Sequence, residues 1–423
     1  MRALLRDRNL VLVLGSGMIS QLGDWALLLA LPLFVYARTR SIPSTGALVA
    51  AQLLPRLIGS PVAGVLADRW DRKRTLVGAD VFRACAVLVL ALSSAGGPLW
   101  VVYAVALLEA SASQLFVAAD TALLPNIVRK ENLLRANSLL TVGTSTIRLV
   151  GPPAGGLLFA VLGLTASAAV DSASFVLSAL LLLGIRLPAA APASDPGDEG
   201  AGVRGVPAAF VLELVEGVRC IVASRVFEAL CLVLGTVMVA QGMLETLLVP
   251  FVVGVLHLDP TRYGVLAAAQ GLGALLGALA LGAVSRHLTS GRVVGAALLL
   301  AAAFLFAFVM VRPLALSAAA LFLLTVPLVV ASAWVQTYYQ EQVSNELLGR
   351  VFGLTETVSS VGILVGVGAA SLFGSRLGVV PLMLAATGVL LVTGVFAVAA
   401  LWQARTAEPE IRAASSEVAA ATD

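Results

Sequence analysis

The sequence predicts an all-α polytopic membrane protein of about twelve transmembrane helices, arranged as two pseudo-symmetric six-helix bundles. Three observations carry that prediction. Of 423 residues, 59% are hydrophobic and only 12% charged, whereas an ordinary soluble domain is roughly a quarter charged. Apolar runs long enough to cross about 30 Å of hydrocarbon, at roughly 20 residues each, recur along nearly the whole length. A register of matching residues then repeats between the two halves of the chain.

The spans are expected at about 10–37, 43–66, 76–96, 98–122, 137–162, 164–186, 226–254, 262–285, 292–311, 313–336, 350–374 and 378–402. The first follows Arg2, Arg6 and Arg8 in the manner of a secretory signal. It runs from about Leu10 to Val35 without a small-residue cleavage site, too long for a signal core, and reads as a retained span. Most joining loops are a few residues, which makes neighbouring helices antiparallel. One loop, Gly64-Val65-Leu66-Ala67-Asp68-Arg69-Trp70-Asp71-Arg72-Lys73-Arg74, is a burst of charge between spans 2 and 3.

An even number of spans puts both termini on one side. Nineteen Lys or Arg residues fall on that side, against five, Arg38, Arg40, Arg262, Arg312 and Arg376, on the other. The bias makes the termini cytoplasmic in a bacterial inner membrane. The basic residues cluster at span ends, so the net charge of +3 and pI of 9.0 read as topology signals and not as a nucleic-acid surface.

The one long interruption lies near the middle. Residues 188–224 are expected to be a cytoplasmic linker: a Pro/Gly/Ala-rich stretch, then an amphipathic helix with Phe210, Leu214 and Val218 opposed to Glu213, Glu216 and Arg219. The linker divides an N-terminal bundle, 1–187, from a C-terminal bundle, 225–404, with 405–423 as a cytoplasmic tail. Gly46, Leu48, Ala50, Ala51, Gln52, Leu54, Leu57, Gly59 and Gly64 find the same residue type 218 positions on (264 − 46 = 218), from Gly264 to Gly282. Pro32 and Pro250 keep the same offset. A duplicated six-helix unit explains this, and such parallel repeats belong to transporters whose site lies between the halves.

The charged loop resembles the G-x-L-a-D-r-x-G-r-k signature of the major facilitator superfamily: Gly64, Leu66, Asp68, Arg69, Arg72 and Lys73 fit, whereas Asp71 stands where the pattern prefers Gly. A worn second copy, Gly282-Ala-Val-Ser-Arg286-His287, has Arg286 in place of the acid. Span 5 carries Gly151-Pro152-Pro153-Ala154-Gly155-Gly156, which resembles the G-P-x-x-G-G core of the drug-exporting antiporters, although Ile147 replaces an upstream Gly. Leu22-Gly23-Asp24-Trp25, Asn137-Ser138-Leu139 and Asp171 to Phe175 are similar to the macrolide-efflux and enterobactin-exporter branch.

The resemblance implies that spans 1, 4, 7 and 10 line a central cavity. Ionisable groups inside apolar spans are costly and point to function. Asp24, Glu109 and Glu245 in spans 1, 4 and 7 are therefore candidates to attract a cationic substrate or exchange protons. Arg148 and Asp171 lie at similar depths in spans 5 and 6, either as a structural ion pair or with Arg148 as ligand of an anionic substrate. Arg56 and Arg83 stay open between structural and functional roles. Removing two backbone donors at Pro152 and Pro153 is expected to bend or break span 5.

The resemblance also implies that Asp68 meets the start of span 11, where a helix dipole and Arg350 favour a carboxylate. Gly64, Asp68, Arg69, Arg72, Lys73 and Arg350 thus form a gating loop, with Arg69, Arg72, Lys73 and Arg74 holding it inside and touching anionic lipid.

Enzyme chemistry finds little footing. Lys73 and Lys130 are the only lysines and neither follows a Gly-rich loop, so a Walker phosphate site is not expected. His257 and His287 are the only histidines, both at loops. Cys85, Cys220 and Cys231 have neither disulfide nor zinc spacing. No cofactor or metal is expected, and no nucleic-acid partner. The expectation is a monomeric secondary active transporter that exports amphipathic drugs or secondary metabolites in exchange for protons by alternating access. Siderophore export and solute-uptake symport are the alternatives within transport, and a non-transporting scaffold or sensor the alternative outside it.

Overall fold

Helix starts and stops in the chain follow from local chemistry. In a computed structural model, which describes residues 7–93, 97–128, 132–185, 224–284, 290–343 and 345–402, the Asp7 carboxylate accepts the Asn9 N–H at 3.0 Å and opens helix α1, Arg8–Thr39. Arg40, at φ 50°, closes it, donating its N–H to Tyr36 O at 2.8 Å. Helix α2 is Ile42–Arg69. Helix α3, Arg72–Ser93, is capped by Asp71, whose Oδ1 accepts the Arg74 N–H at 2.8 Å. Helix α4 is Leu99–Ile127.

The next helical run, Leu133–Leu183, is interrupted at Gly163, whose φ of 72° and ψ of −176° suit glycine. It forms α5 (133–162) and α6 (164–183). The helix passes through Pro152 and Pro153 without interruption, so of the expected bend or break there the break does not occur. A membrane helix tolerates proline where neighbouring groups satisfy the freed carbonyls. The chain reverses only where glycine admits a left-handed backbone.

Helix α7, Arg225–Pro250, runs on into a single π-type turn, Phe251–Val255. Helices α8 (Pro260–Val284), α9 (Arg292–Met310), α10 (Leu314–Gln342), α11 (Asn345–Leu377) and α12 (Val379–Ala400) follow, with Gly378 at φ 83° between the last two. Among the described residues ten helices are long and apolar enough to cross a membrane.

The described residues of Met1–Val35 and Ala50–Ala209 form one compact unit, and those of Tyr36–Val49 and Phe210–Asp423 a second. In the first, α3 packs on α4 and on the α5–α6 run. Its core joins Val13, Leu76, Ala79, Phe116, Ala119, Leu123, Leu182 and Ile185. In the second, α7 packs on α11 and α12, α8 on α10, and α9 on α10 and α12. Residues 36–49 belong here through close packing: Gly46 faces Ser371 and Thr246, and Ile42 faces Gly374. The outer faces stay apolar, with Phe82, Leu88, Val89 and Leu92 exposed on α3 and Val392 and Val395 on α12. Such faces suit hydrocarbon as their solvent.

Candidate functional site

The charged loop gives two of its basic residues work inside their own unit. Arg72 Nη1 donates to Ala122 O near the end of α4 at 2.9 Å. Lys73 Nζ donates to Leu183 O at 2.9 Å and Ile185 O at 2.7 Å at the end of α6. Cations at helix C-termini satisfy orphan carbonyls and meet the negative end of the dipole. These two side chains therefore tie helix ends together, where the sequence suggested lipid contact. Asp71 caps α3, which explains an acid where the motif prefers Gly. The side chains of Gly64, Asp68, Arg69 and Arg350 lie outside the described residues, and so does the second loop copy, 285–289.

The Gly-Pro motif of α5 is a packing surface. A Cβ on Gly151 would overlap the Trp25 indole, and one on Gly155 would lie 2.5 Å from Trp25 O and 2.7 Å from its carbonyl carbon. The glycines bring α5 against the backbone of α1 beside Asp24. Gly156 is buried as well, while the side chains of Pro152, Pro153 and Arg148 lie outside the described residues. The proposed Arg148–Asp171 pair falls with them.

The acids of α1, α4 and α6 come together. Asp24, Glu109 and Asp171 lie within electrostatic range of one another and of Arg83. Asp171 is 1% exposed. Its Oδ1 would sit 2.5 Å from a Cβ added at Gly23, so the α1 backbone is seated against it. Ser174 Oγ donates to Asp171 O at 2.7 Å, and Ser172 Oγ to Ala84 O at 2.8 Å, joining α6 to α3. Asp24 Oδ1 and Asp171 Oδ2 are buried with no hydrogen-bond partner. Buried polar atoms are rarely left so.

Asp80 and Arg83, on α3, form the centre of the cluster. They make an ion pair between Arg83 Nη2 and Asp80 Oδ1, with side chains 2% and 0% exposed. Arg83 Nη2 also donates to Ser20 Oγ of α1 at 3.1 Å. The guanidinium carbon lies over two rings, 4.7 Å from the Phe116 centroid and 4.2 Å from that of Phe175. Asp120 of α4 lies within electrostatic range of Asp80. Sequence reasoning left Arg83 open and passed over Asp80 and Asp120. The available signal was an acid and a base three residues apart in an apolar helix, which puts both on one face.

Glu245 belongs to the second unit, where Gln241 Nε2 donates to its Oε1 at 3.0 Å along α7. Trp334 stacks on Tyr338 in α10 at 5.1 Å, and Phe227 meets Tyr339 at 5.7 Å, an aromatic packing between α7 and α10. Glu356 and Arg56 are exposed. Among the described residues no group of three or more His, Cys, Asp or Glu is arranged to hold a metal ion. Cys85 and Cys231 are free thiols.

Comparison with known proteins matches this architecture. The family model described as Major Facilitator Superfamily matches residues 13–367. Macrolide efflux protein A of Streptococcus pyogenes is 27% identical over 336 residues, 77% of this chain and 79% of that protein. Enterobactin exporter EntS of Escherichia coli O1:K1 / APEC is 26% identical over 339 residues, 80% of this chain and 78% of that protein. Among solved structures, the nucleoside transporter NupG superposes with a TM-score of 0.67 at 12% identity, covering 92% of this chain and 99% of its own. A bacterial homologue of the iron transporter ferroportin does so with a TM-score of 0.65 at 18% identity, covering 93% and 99%.

Proposed function

Because the chain belongs to the Major Facilitator Superfamily, and is thus a multi-pass membrane transporter and not an enzyme, we propose that it exports amphipathic small molecules in exchange for protons. Export is supported by the efflux relatives, and proton exchange by the cluster of Asp24, Glu109 and Asp171. The single observation that carries the reading is that Asp24 Oδ1 and Asp171 Oδ2 are buried without a donor. A buried carboxylate without a partner is costly, and a protonated one far less so. A group that must be neutral when closed off and is free to ionise when wet is suited to carry a proton.

Transport by alternating access between two bundles, 1–187 and 225–404, with both termini cytoplasmic, follows from the repeat and the Lys/Arg asymmetry. Asp68, Arg69 and Arg350 complete the reading as a cytoplasmic gate. The match to an enterobactin exporter favours a second reading, export of an enterobactin-like solute, for which Arg148 is the first residue to test.

The experiment is efflux of ethidium and of a macrolide from proteoliposomes carrying an imposed pH gradient. Wild-type protein is expected to drive efflux that stops when the gradient is collapsed. Asp24→Asn and Glu109→Gln are expected to abolish the gradient dependence while the protein still elutes as a folded species. Efflux that persists without a gradient, or survives both substitutions, refutes the coupling.

A further inference from the structure

Facing the Asp80–Arg83 pair are Asp24 and Ser20 from α1, Glu109 and Asp120 from α4, and Asp171 and Ser178 from α6. The Arg148 side chain on α5 lies outside the described residues. Asp80 neutralises Arg83. Four carboxyl groups then remain against no further cation among the described residues. Those described groups are together neutral only when the four hold protons or when a further cation stands beside them.

The setting of Arg83 supplies the other half of the argument. Its guanidinium carbon lies over both the Phe116 and the Phe175 ring, contacts that leave its N–H groups free for hydrogen bonds to the acids. Of its edges, Nη2 serves Ser20 and Asp80, while the Nε–H has no acceptor. In the same cluster Asp24 Oδ1 and Asp171 Oδ2 are buried acceptors with no donor. An unused donor beside unused acceptors marks hydrogen bonds that another state of the cluster makes.

We propose that Arg83 is an exchangeable counter-ion, which pairs with Asp80 while Asp24 and Asp171 hold their protons and turns its open edge toward them when those protons leave. Each proton released to water leaves one carboxylate behind. The turn of Arg83 shares its charge with that carboxylate, and a cationic substrate restores neutrality. Arg83 acts through the acids and is a positioning residue, and the preferred cargo is an amphipathic cation. The inference rests on the proton exchange proposed above.

The test measures tetraphenylphosphonium transport against pH in proteoliposomes for wild-type, Asp80→Asn, Arg83→Gln and Arg83→Lys protein. Removing the Asp80 charge releases Arg83 to the other acids, and the midpoint of the profile is expected to move toward acid by about one pH unit or more. Removing the Arg83 charge is expected to move it toward alkali by a similar amount. Arg83→Lys keeps the charge without the planar stack and should fall between. A pair that only holds the fold lowers transport at every pH with the midpoint fixed, and that result overturns the proposal, as do shifts of the same sign. If Arg83→Gln fails to elute as a folded species, Asp80→Asn decides alone, and no acid shift overturns the proposal.

Binding of tetraphenylphosphonium to detergent-solubilised protein separates this from a failure of coupling. Binding that competes with protons, with a midpoint moved in the variants, supports the counter-ion even where the wild type pumps nothing. Binding that is absent, or indifferent to pH, overturns it. Gradient-driven transport with unmoved midpoints overturns the counter-ion and leaves the coupling standing.

Discussion

Gly155→Ala tests whether the contact between α1 and α5 governs transport. A methyl group there would lie 2.5 Å from Trp25 O, 2.7 Å from the Trp25 carbonyl carbon and 3.0 Å from Ala26 N. These are backbone atoms, so no rotamer change relieves the overlap. Ordinary contact between such atoms begins near about 3.5 Å, and the helices must separate by roughly 1 Å. Overpacking of this kind costs ~1–3 kcal/mol. Alanine recovers up to about 1 kcal/mol of helix propensity over glycine, so the protein is expected to fold with modest loss. The functional effect is expected to be larger, because Asp24 immediately precedes Trp25 and moves with it. A displacement of about 1 Å at a working group can cost roughly 100-fold in rate. The assay is the ethidium efflux rate in proteoliposomes, with thermal unfolding in detergent measured in parallel. Gly17→Ala, on α1 with Trp25 and with nothing within 4 Å of the added methyl, is the control. A Gly155→Ala protein that transports as fast as Gly17→Ala would refute the reasoning.

Three further outcomes are expected. Gly163→Ala forces an L-residue to φ 72° and should lower stability by about 1–2 kcal/mol, read as a fall in the thermal midpoint. Asp71→Ala should cost about 1 kcal/mol through the lost cap of α3, whereas Asp71→Gly should cost only a few tenths, which equilibrium unfolding in detergent can separate. Lys73→Met removes the donor to Leu183 O and Ile185 O and should cost about 1–2 kcal/mol after allowance for partial exposure, with the pH profile of transport unmoved.

The number and order of helices were legible because a membrane leaves few choices: an apolar run of some 20 residues must be a helix. The break between spans 5 and 6 was expected between residues 162 and 164, and it falls at Gly163. The acids of α1, α4 and α6 stood out for the same reason, since each interrupts an apolar run. At Pro152 and Pro153 the break, one of the two expected outcomes, does not occur, because a proline rule written for water overstates it where neighbouring helices can satisfy the freed carbonyls. Asp80 and Arg83 were harder to read. An acid and base three residues apart resemble an exposed helix pair, and only burial to 0% and 1% shows that they are not one. Arg72 and Lys73 looked like topology signals because sequence cannot say which carbonyls lie within their reach.

The duplicated halves separate two tasks that the repeat alone would make equal. At the offset of 218, Asp24 corresponds to Gly242 (24 + 218 = 242), Asp80 to Leu298 (80 + 218 = 298) and Arg83 to Ala301 (83 + 218 = 301). Leu298 and Ala301 are 2% and 0% exposed, so the second unit fills with hydrocarbon the places where the first holds its ion pair. Among the described residues every buried charged side chain, Asp80, Arg83 and Asp171, lies in the first unit. In the second unit, buried hydroxyls such as Thr246, Thr355 and Thr387 turn back to carbonyls of their own helices. Gly242, the counterpart of Asp24, instead meets the Ile363 backbone of α11, as Gly366 meets Val239 O of α7. Close backbone packing of this kind suits helices that slide against each other, while a buried ion pair among further acids suits an electrostatic site. The buried charges on which the proposed coupling rests are thus concentrated in the first unit, and the second is built chiefly for packing, with the half-buried Glu245 as its acid on α7.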